Sequence, residues 1–91
     1  MKQCMDVQAV INRLKRIEGQ IRGIINMVND DKSCEDIIIQ IGSAKAALHK
    51  TGQMVLEGHL QHCVLDGIRS GNEEETIAKL SSAIEQFSRI V

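Results

Sequence analysis

The segment SCEDIIIQIGSAKAALHKTGQMVLEGHLQHCVLD spans residues 33–66. Its apolar residues recur at three- and four-residue spacing without a proline, which predicts one long amphipathic helix. Ser33 and Asp36 form an S-x-x-D pattern at its start, in which the serine hydroxyl accepts a hydrogen bond from the N–H three residues later. Gly52 and Gly58 lie inside the helix and each costs up to about 1 kcal/mol relative to alanine, which allows local bending.

Two further helices are predicted on either side of this one. Apolar residues keep the helical spacing from Val7 to Val28, and the polar stretch 29–32 then forms a turn. Asn72 is expected to cap a third helix, whose opening glutamates suit the positive end of the helix dipole. The chain is therefore expected to be one all-α domain over residues 1–91, a bundle with helices at roughly 5–29, 33–66 and 73–88.

The composition predicts an oligomer. The chain has 91 residues, a single aromatic side chain at Phe87, and no tryptophan, tyrosine or proline. A chain of this size buries little more than about 60 % of its unfolded surface, so a lone monomer would be marginal. Helices rich in Ile, Leu, Val, Met and Ala bury more surface by packing between subunits.

The cysteines and the terminus indicate a cytoplasmic protein. Three cysteines at wide spacing, Cys4, Cys34 and Cys63, do not make the even set of a small secreted scaffold. No apolar run suits a signal peptide or a membrane span. Reduced thiols are therefore expected.

His59 and Cys63 are the first candidate metal ligands. Residues four apart lie on one helix face, whereas His62 points roughly 100° away from Cys63 and is taken as a bystander. A third ligand is needed, and Cys34 is available. It begins the same helix, however, about 43 Å from Cys63 at about 1.5 Å per residue, so the two cannot meet within one chain.

Cys34 and Cys63 can meet if they come from two different chains. If the long helices pair antiparallel in a two-fold dimer, Cys34 of one subunit lies beside His59 and Cys63 of the partner subunit, and symmetry makes two such sites. Two thiolates and an imidazole favour Cu(I), with Zn(II) as the usual competitor. The simpler interpretation remains open, in which each cysteine is a small buried apolar residue and the histidine lies on the surface.

The stretches INRLKRIEGQIRGI, SCEDIIIQIGSAKAAL and VLEGHLQHC resemble the CsoR/RcnR family of metal- and stress-sensing transcriptional repressors. The resemblance covers about residues 7–87. It implies a three-helix protomer that forms an antiparallel four-helix-bundle dimer, usually assembled as a dimer-of-dimers homotetramer. The assembly is expected to bind double-stranded operator DNA through a flat basic surface and to release it when an inducer binds.

The resemblance also implies the ligands. Cys34, His59 and Cys63 match the Cys-His-Cys set of the copper sensors. The nickel/cobalt branch would have a histidine in place of Cys63 and a further N-terminal histidine. The formaldehyde-sensing branch lacks the second cysteine, and the persulfide-sensing branch typically lacks the histidine.

Two positions depart from the copper sensors. A tyrosine is expected before the first cysteine and a glutamate in the third helix, and this chain has Ser33 and Lys79 there. Such groups orient ligands, so their absence keeps a second hypothesis open. In it, Cys34 and Cys63 form a persulfide- or thiol-redox sensor that binds no metal. Cys4 is an extra thiol near the N-terminal ligand position of other branches.

DNA contacts are expected from basic residues. The net charge is −1, yet residues 1–24 carry five basic and two acidic side chains. Arg13, Arg16 and Gln20 share one stripe of the first helix, and Lys15 flanks it. The resemblance assigns operator contact to Arg13 and Lys50, with Lys15 and Arg16 as companions.

No carboxylate pair, nucleophile–base set or glycine-rich phosphate loop is evident, so no enzyme is expected. The remaining alternative is a copper chaperone or storage dimer that never touches DNA.

Overall fold

The computed structural model describes residues 5–89, and every regular element in that range is helical. The order is α1 (Val7–Asn29), α2 (Cys34–Gly58), a π-helix called here the π segment (His59–Val64), α3 (Leu65–Arg69) and α4 (Glu73–Ser88). The all-α fold class predicted from the sequence is confirmed, and the helices begin and end close to the predicted bounds.

Polar side chains cap the first two helices. Asp6 accepts a hydrogen bond of 3.1 Å from the Ala9 N–H at the start of α1. Ser33 accepts one of 3.2 Å from the Asp36 N–H at the start of α2, as the S-x-x-D pattern predicts. Asn72 precedes α4 as expected, but its side chain makes no capping hydrogen bond.

Two helices end in the same hydrogen-bonded turn. After α1, the Lys32 N–H donates to the Met27 carbonyl and the Asp31 N–H to that of Val28, with Asp31 at a φ of 53°. After α3, the Asn72 and Gly71 N–H groups repeat this pattern, with Gly71 at a φ of 82°. Both are Schellman caps, which need one residue in the left-handed region.

The second helix is continuous from Cys34 to Arg69, although the segment His59–Val64 near its C-terminal end is a π-helix. Gly58, His59, Val64 and Leu65, at the two boundaries of the π segment, all have φ between −69° and −61° and ψ between −45° and −40°. The chain therefore changes hydrogen-bond register without leaving the helix.

α1 and α2 form an antiparallel hairpin. Gln20 of α1 donates a hydrogen bond of 3.5 Å to Ser43 of α2 across one side of the hairpin. On the other side, an open apolar groove is lined by Ile17, Ile21, Ile24, Ile41, Ala44 and Leu48, among others. Among residues 5–89, the few buried ones are Val10, Ile17, Ala44, Thr51 and Val64.

α4 folds back along the second helix. Near its end, the Phe87 ring lies over Gly52 and is stacked on the His49 ring, with centroids 5.0 Å apart and 7° between the planes. Near its start, Thr76 lies over Gly67. At both glycines an added Cβ would overlap the α4 side chain.

The chain is long and flat. Its extents are 56 × 28 × 15 Å and its radius of gyration is 17.1 Å, compared with about 12 Å for a compact domain of this length. Its accessible surface is 7099 Å², and a compact monomer of this mass exposes about 5,300 Å². Within the described residues, no helix is long and apolar enough to cross a bilayer.

Candidate metal centre and nucleic-acid interface

Two of the three predicted metal ligands lie in the π segment. His59 begins it and Cys63 is its fifth residue, and both side chains are half-buried, whereas His62 is exposed. The π-helix was not predicted from the sequence; the glycine at position 58, directly before it, is the one local irregularity in the pattern. Single-turn π-helices within α-helices are frequent at functional sites.

The third predicted ligand, Cys34, is the first residue of α2 and carries an exposed, free thiol. The continuous helix separates it from Cys63 by about 43 Å at about 1.5 Å per residue. Within residues 5–89, no three His, Cys, Asp or Glu side chains come together to hold a metal ion. A single chain therefore has two candidate ligands at one place and the third at another.

These two places share one side of the helix. Cys34, Ile41 and Leu48 follow at seven-residue intervals, which is close to two turns each. Gly52 comes one turn after Leu48, and His59 two turns after Gly52. Ile41 and Leu48 also line the groove, so Cys34 and His59 flank the apolar side of the hairpin at its two ends.

The thiol states differ between the cysteines. Cys63 is disulfide-bonded in this structure, whereas reduced thiols were expected, so its use as a copper ligand requires reduced protein. Cys4, the extra thiol of the sequence analysis, lies outside the described residues.

The residues at the two departing positions have other roles. Ser33 caps α2 through its hydroxyl. Lys79 is exposed and lies 2.9 Å from the Glu75 carboxylate, one turn earlier on α4. The hydrogen bond and charge of Lys79 hold the pKa of Glu75 below its ordinary value. Neither residue contributes the tyrosine or glutamate partner expected in the copper sensors.

The Gln20–Ser43 hydrogen bond is the reference point for the positions of the candidate DNA-binding residues. Arg13 lies seven residues before Gln20, and Lys50 lies seven residues after Ser43. Both steps are close to two turns in opposite chain directions, so Arg13 and Lys50 lie level with each other across the antiparallel hairpin. This side is opposite the apolar groove.

The other two candidates, Arg16 and Lys15, lie on different sides of α1. Arg16 is exposed one turn from Gln20 and belongs to the same side. Lys15 lies about 200° around α1 from Arg13, at about 100° per residue, and is separated from the other three.

The sequence profile of the family described as "Metal-sensitive transcriptional repressor" matches residues 6–86. The chain belongs to this family. Its members repress transcription, in line with the expectation that the chain is not an enzyme, and repression implies binding to operator DNA.

Relatives in this family include copper sensors. The copper-sensing transcriptional repressor CsoR of Bacillus subtilis is 43 % identical over 88 residues, covering 97 % of this chain and 87 % of the relative. The copper-sensing transcriptional repressor RicR of Mycobacterium tuberculosis is 38 % identical over 79 residues, covering 85 % and 82 %.

Solved structures of the family share the fold. The copper-sensing repressor CsoR with Cu(I) from Geobacillus thermodenitrificans superimposes with a TM-score of 0.88 at 43 % identity, covering 92 % of this chain and 88 % of that one. The nickel-responsive transcriptional regulator InrS superimposes with a TM-score of 0.79 at 33 % identity, covering 96 % and 97 %.

Proposed function

We propose that this protein is a cytoplasmic repressor that releases operator DNA when it binds Cu(I) through Cys34 of one subunit and His59 and Cys63 of the partner subunit. The observation that supports the proposal is that Cys34 lies at the start of one continuous helix and His59 and Cys63 lie near its other end. Relatives of about 40 % identity that sense copper support the choice of inducer.

The shape of the chain supports the dimer that this site needs. The surface exceeds that of a compact monomer by about 1,800 Å², roughly twice the area of about 800 Å² that one partner buries in a standard protein interface. The groove and its neighbours expose large apolar side chains, including Ile21, Ile25, Ile41 and Leu48. An antiparallel second copy on this side would cover them and bring each Cys34 beside the partner's His59.

The ligand chemistry favours Cu(I) over nickel and zinc. Two thiolates and one imidazole form a soft, three-coordinate set that Cu(I) accepts. A structural zinc site usually has four ligands, so Zn(II) is a weaker competitor here. A nickel sensor such as InrS is also similar to this chain, and nickel is therefore included in the test.

DNA binding is proposed for the opposite side of the hairpin. Arg13, Arg16 and Lys50 line it, and their contacts would be with phosphates, since guanidinium and ammonium groups neutralise the backbone. Lys15, grouped with them on sequence grounds, is proposed to contribute less because of its position on α1. In a homotetramer these charges are repeated four times, although each chain carries a net charge of −1.

The test is a titration of the reduced protein on its operator, followed by fluorescence anisotropy without oxygen. We expect Cu(I) to release the operator DNA from wild type but not from His59→Ala. His62→Ala, which changes an exposed histidine three residues away, is the matched control and should respond like wild type. Ni(II) and Zn(II) are expected to leave the complex intact.

A thiol sensor is the second candidate, and the roles of Ser33 and Lys79 favour it, because neither provides the expected partner of the copper ligands. In that case a polysulfide donor, rather than Cu(I), releases the DNA from both wild type and His59→Ala. If neither inducer acts, the sensing proposal is wrong. If the protein binds Cu(I) but no operator, it is a copper chaperone or store.

A further inference from the structure

The contacts of α4 fall on either side of the π segment. Phe87 lies over Gly52 and against His49, before the segment, and Thr76 lies over Gly67, after it. Between these two points α4 also contacts the π segment itself. The helix that carries Phe87 is therefore fixed to the second helix at both ends, with His59 and Cys63 in the interval.

The length of this interval depends on the type of helix. In a π-helix each N–H bonds to the carbonyl five residues earlier, so a turn holds more residues than in an α-helix. Residues 59–64 in α-helical geometry would form a longer and narrower segment. Gly52 and Gly67 would then move apart, and one of the two α4 contacts would have to break.

We propose that α4 acts as a splint that holds residues 59–64 in π geometry, and that Phe87 and Thr76 are positioning residues for His59 and Cys63. Neither residue touches the metal; they act by fixing the backbone that carries two ligands. The proposal deepens the proposed function and rests on it for the copper measurement alone.

The proposal is tested from both sides of one contact. Phe87→Ala removes the ring, and Gly52→Ala fills the space in which the ring lies. Gln86→Ala changes an exposed neighbour on α4 and is the matched control. If Phe87→Ala loses helix content by circular dichroism, Phe87→Leu replaces it, because leucine keeps apolar contact but loses the stack on His49.

The first measurement is amide hydrogen exchange on metal-free, reduced protein. We expect amides of residues 59–64 to exchange at least about tenfold faster in Phe87→Ala and Gly52→Ala, because local opening becomes easier. In Gln86→Ala the rates should match wild type. If the amide exchange rates of residues 59–64 are unchanged in both Phe87→Ala and Gly52→Ala, the splint proposal is wrong.

The second measurement is Cu(I) affinity by competition with a chromophoric chelator. We expect it to fall about tenfold in both test variants, the lower end of the effect of losing groups that orient ligands. Operator affinity without metal should not change, since the basic side of the hairpin is untouched. Faster exchange with unchanged Cu(I) affinity would show that α4 does not position the ligands. Faster exchange in a protein whose wild type binds no Cu(I) would leave the splint intact and refute the proposed function.

Discussion

Ser33 determines where the second helix begins, one residue before the candidate ligand Cys34. Its hydroxyl accepts the Asp36 N–H, which would otherwise lack a partner at the helix end. This capping role follows from the sequence, since the S-x-x-D pattern identifies both the donor and the acceptor. Asn72, also a good capping residue by type, makes no such bond. Residue type alone therefore does not determine a cap, because the local backbone must also bring the side chain to the N–H.

The contrast between the two caps gives a stability prediction. Ser33→Ala should lower the free energy of unfolding by about 1 kcal/mol. Asn72→Ala should change it by less than about half that amount, because no capping bond is lost. Urea denaturation of both variants beside wild type measures the difference. Equal losses in the two variants would contradict it.

At the scale of elements, the helices follow from their apolar spacing, whereas the π segment does not. A π-helix of six residues is too short to show a period of its own, so HLQHCV cannot be distinguished by sequence pattern from a continued α-helix. Similarly, Gly52 indicates a bend by sequence, but its role is to admit Phe87, a contact between residues 35 positions apart. The sequence yields the candidate ligands His59 and Cys63, but not the π segment in which they lie.

The stripe of basic residues across α1 and α2 is tested by charge reversal. Arg13→Glu and Lys50→Glu should each weaken operator binding at least about tenfold and reduce its dependence on salt, because phosphate contacts are lost. Lys15→Glu makes the same charge change about 200° around α1 and should have a smaller effect. Anisotropy titrations at several salt concentrations measure the operator affinity of the three variants and its dependence on salt. A Lys15→Glu defect as large as that of Arg13→Glu would contradict the assigned side.

At the scale of the whole molecule, the chain has too little core for its surface. Among the described residues no large side chain is fully buried, and Leu48 in the groove is 52 % exposed. The composition, with Phe87 as the single aromatic residue, predicts this small core. The proposed antiparallel dimer does not follow from composition; it is inferred from the distance between Cys34 and Cys63 along one continuous helix.

Disrupting the apolar side should separate the subunits. Leu48→Lys places a charge at the centre of the proposed interface and should shift the protein toward monomer in sedimentation velocity. Ile39→Lys is the matched control, since Ile39 is 64 % exposed but lies one turn from Ser43, away from the groove. It should sediment like wild type. A monomeric wild type, or equal effects of both changes, would contradict the interface.

The continuous helix from Cys34 to Arg69 has a genetic consequence if the proposed site is correct. Each subunit contributes Cys34 to one site, and His59 and Cys63 to the other. A dimer made only of Cys34→Ser subunits, or only of His59→Ala subunits, would have no complete site. A mixed dimer would have one complete site, while its other site would carry both substitutions. Two inactive alleles would then restore copper response when expressed in the same cell.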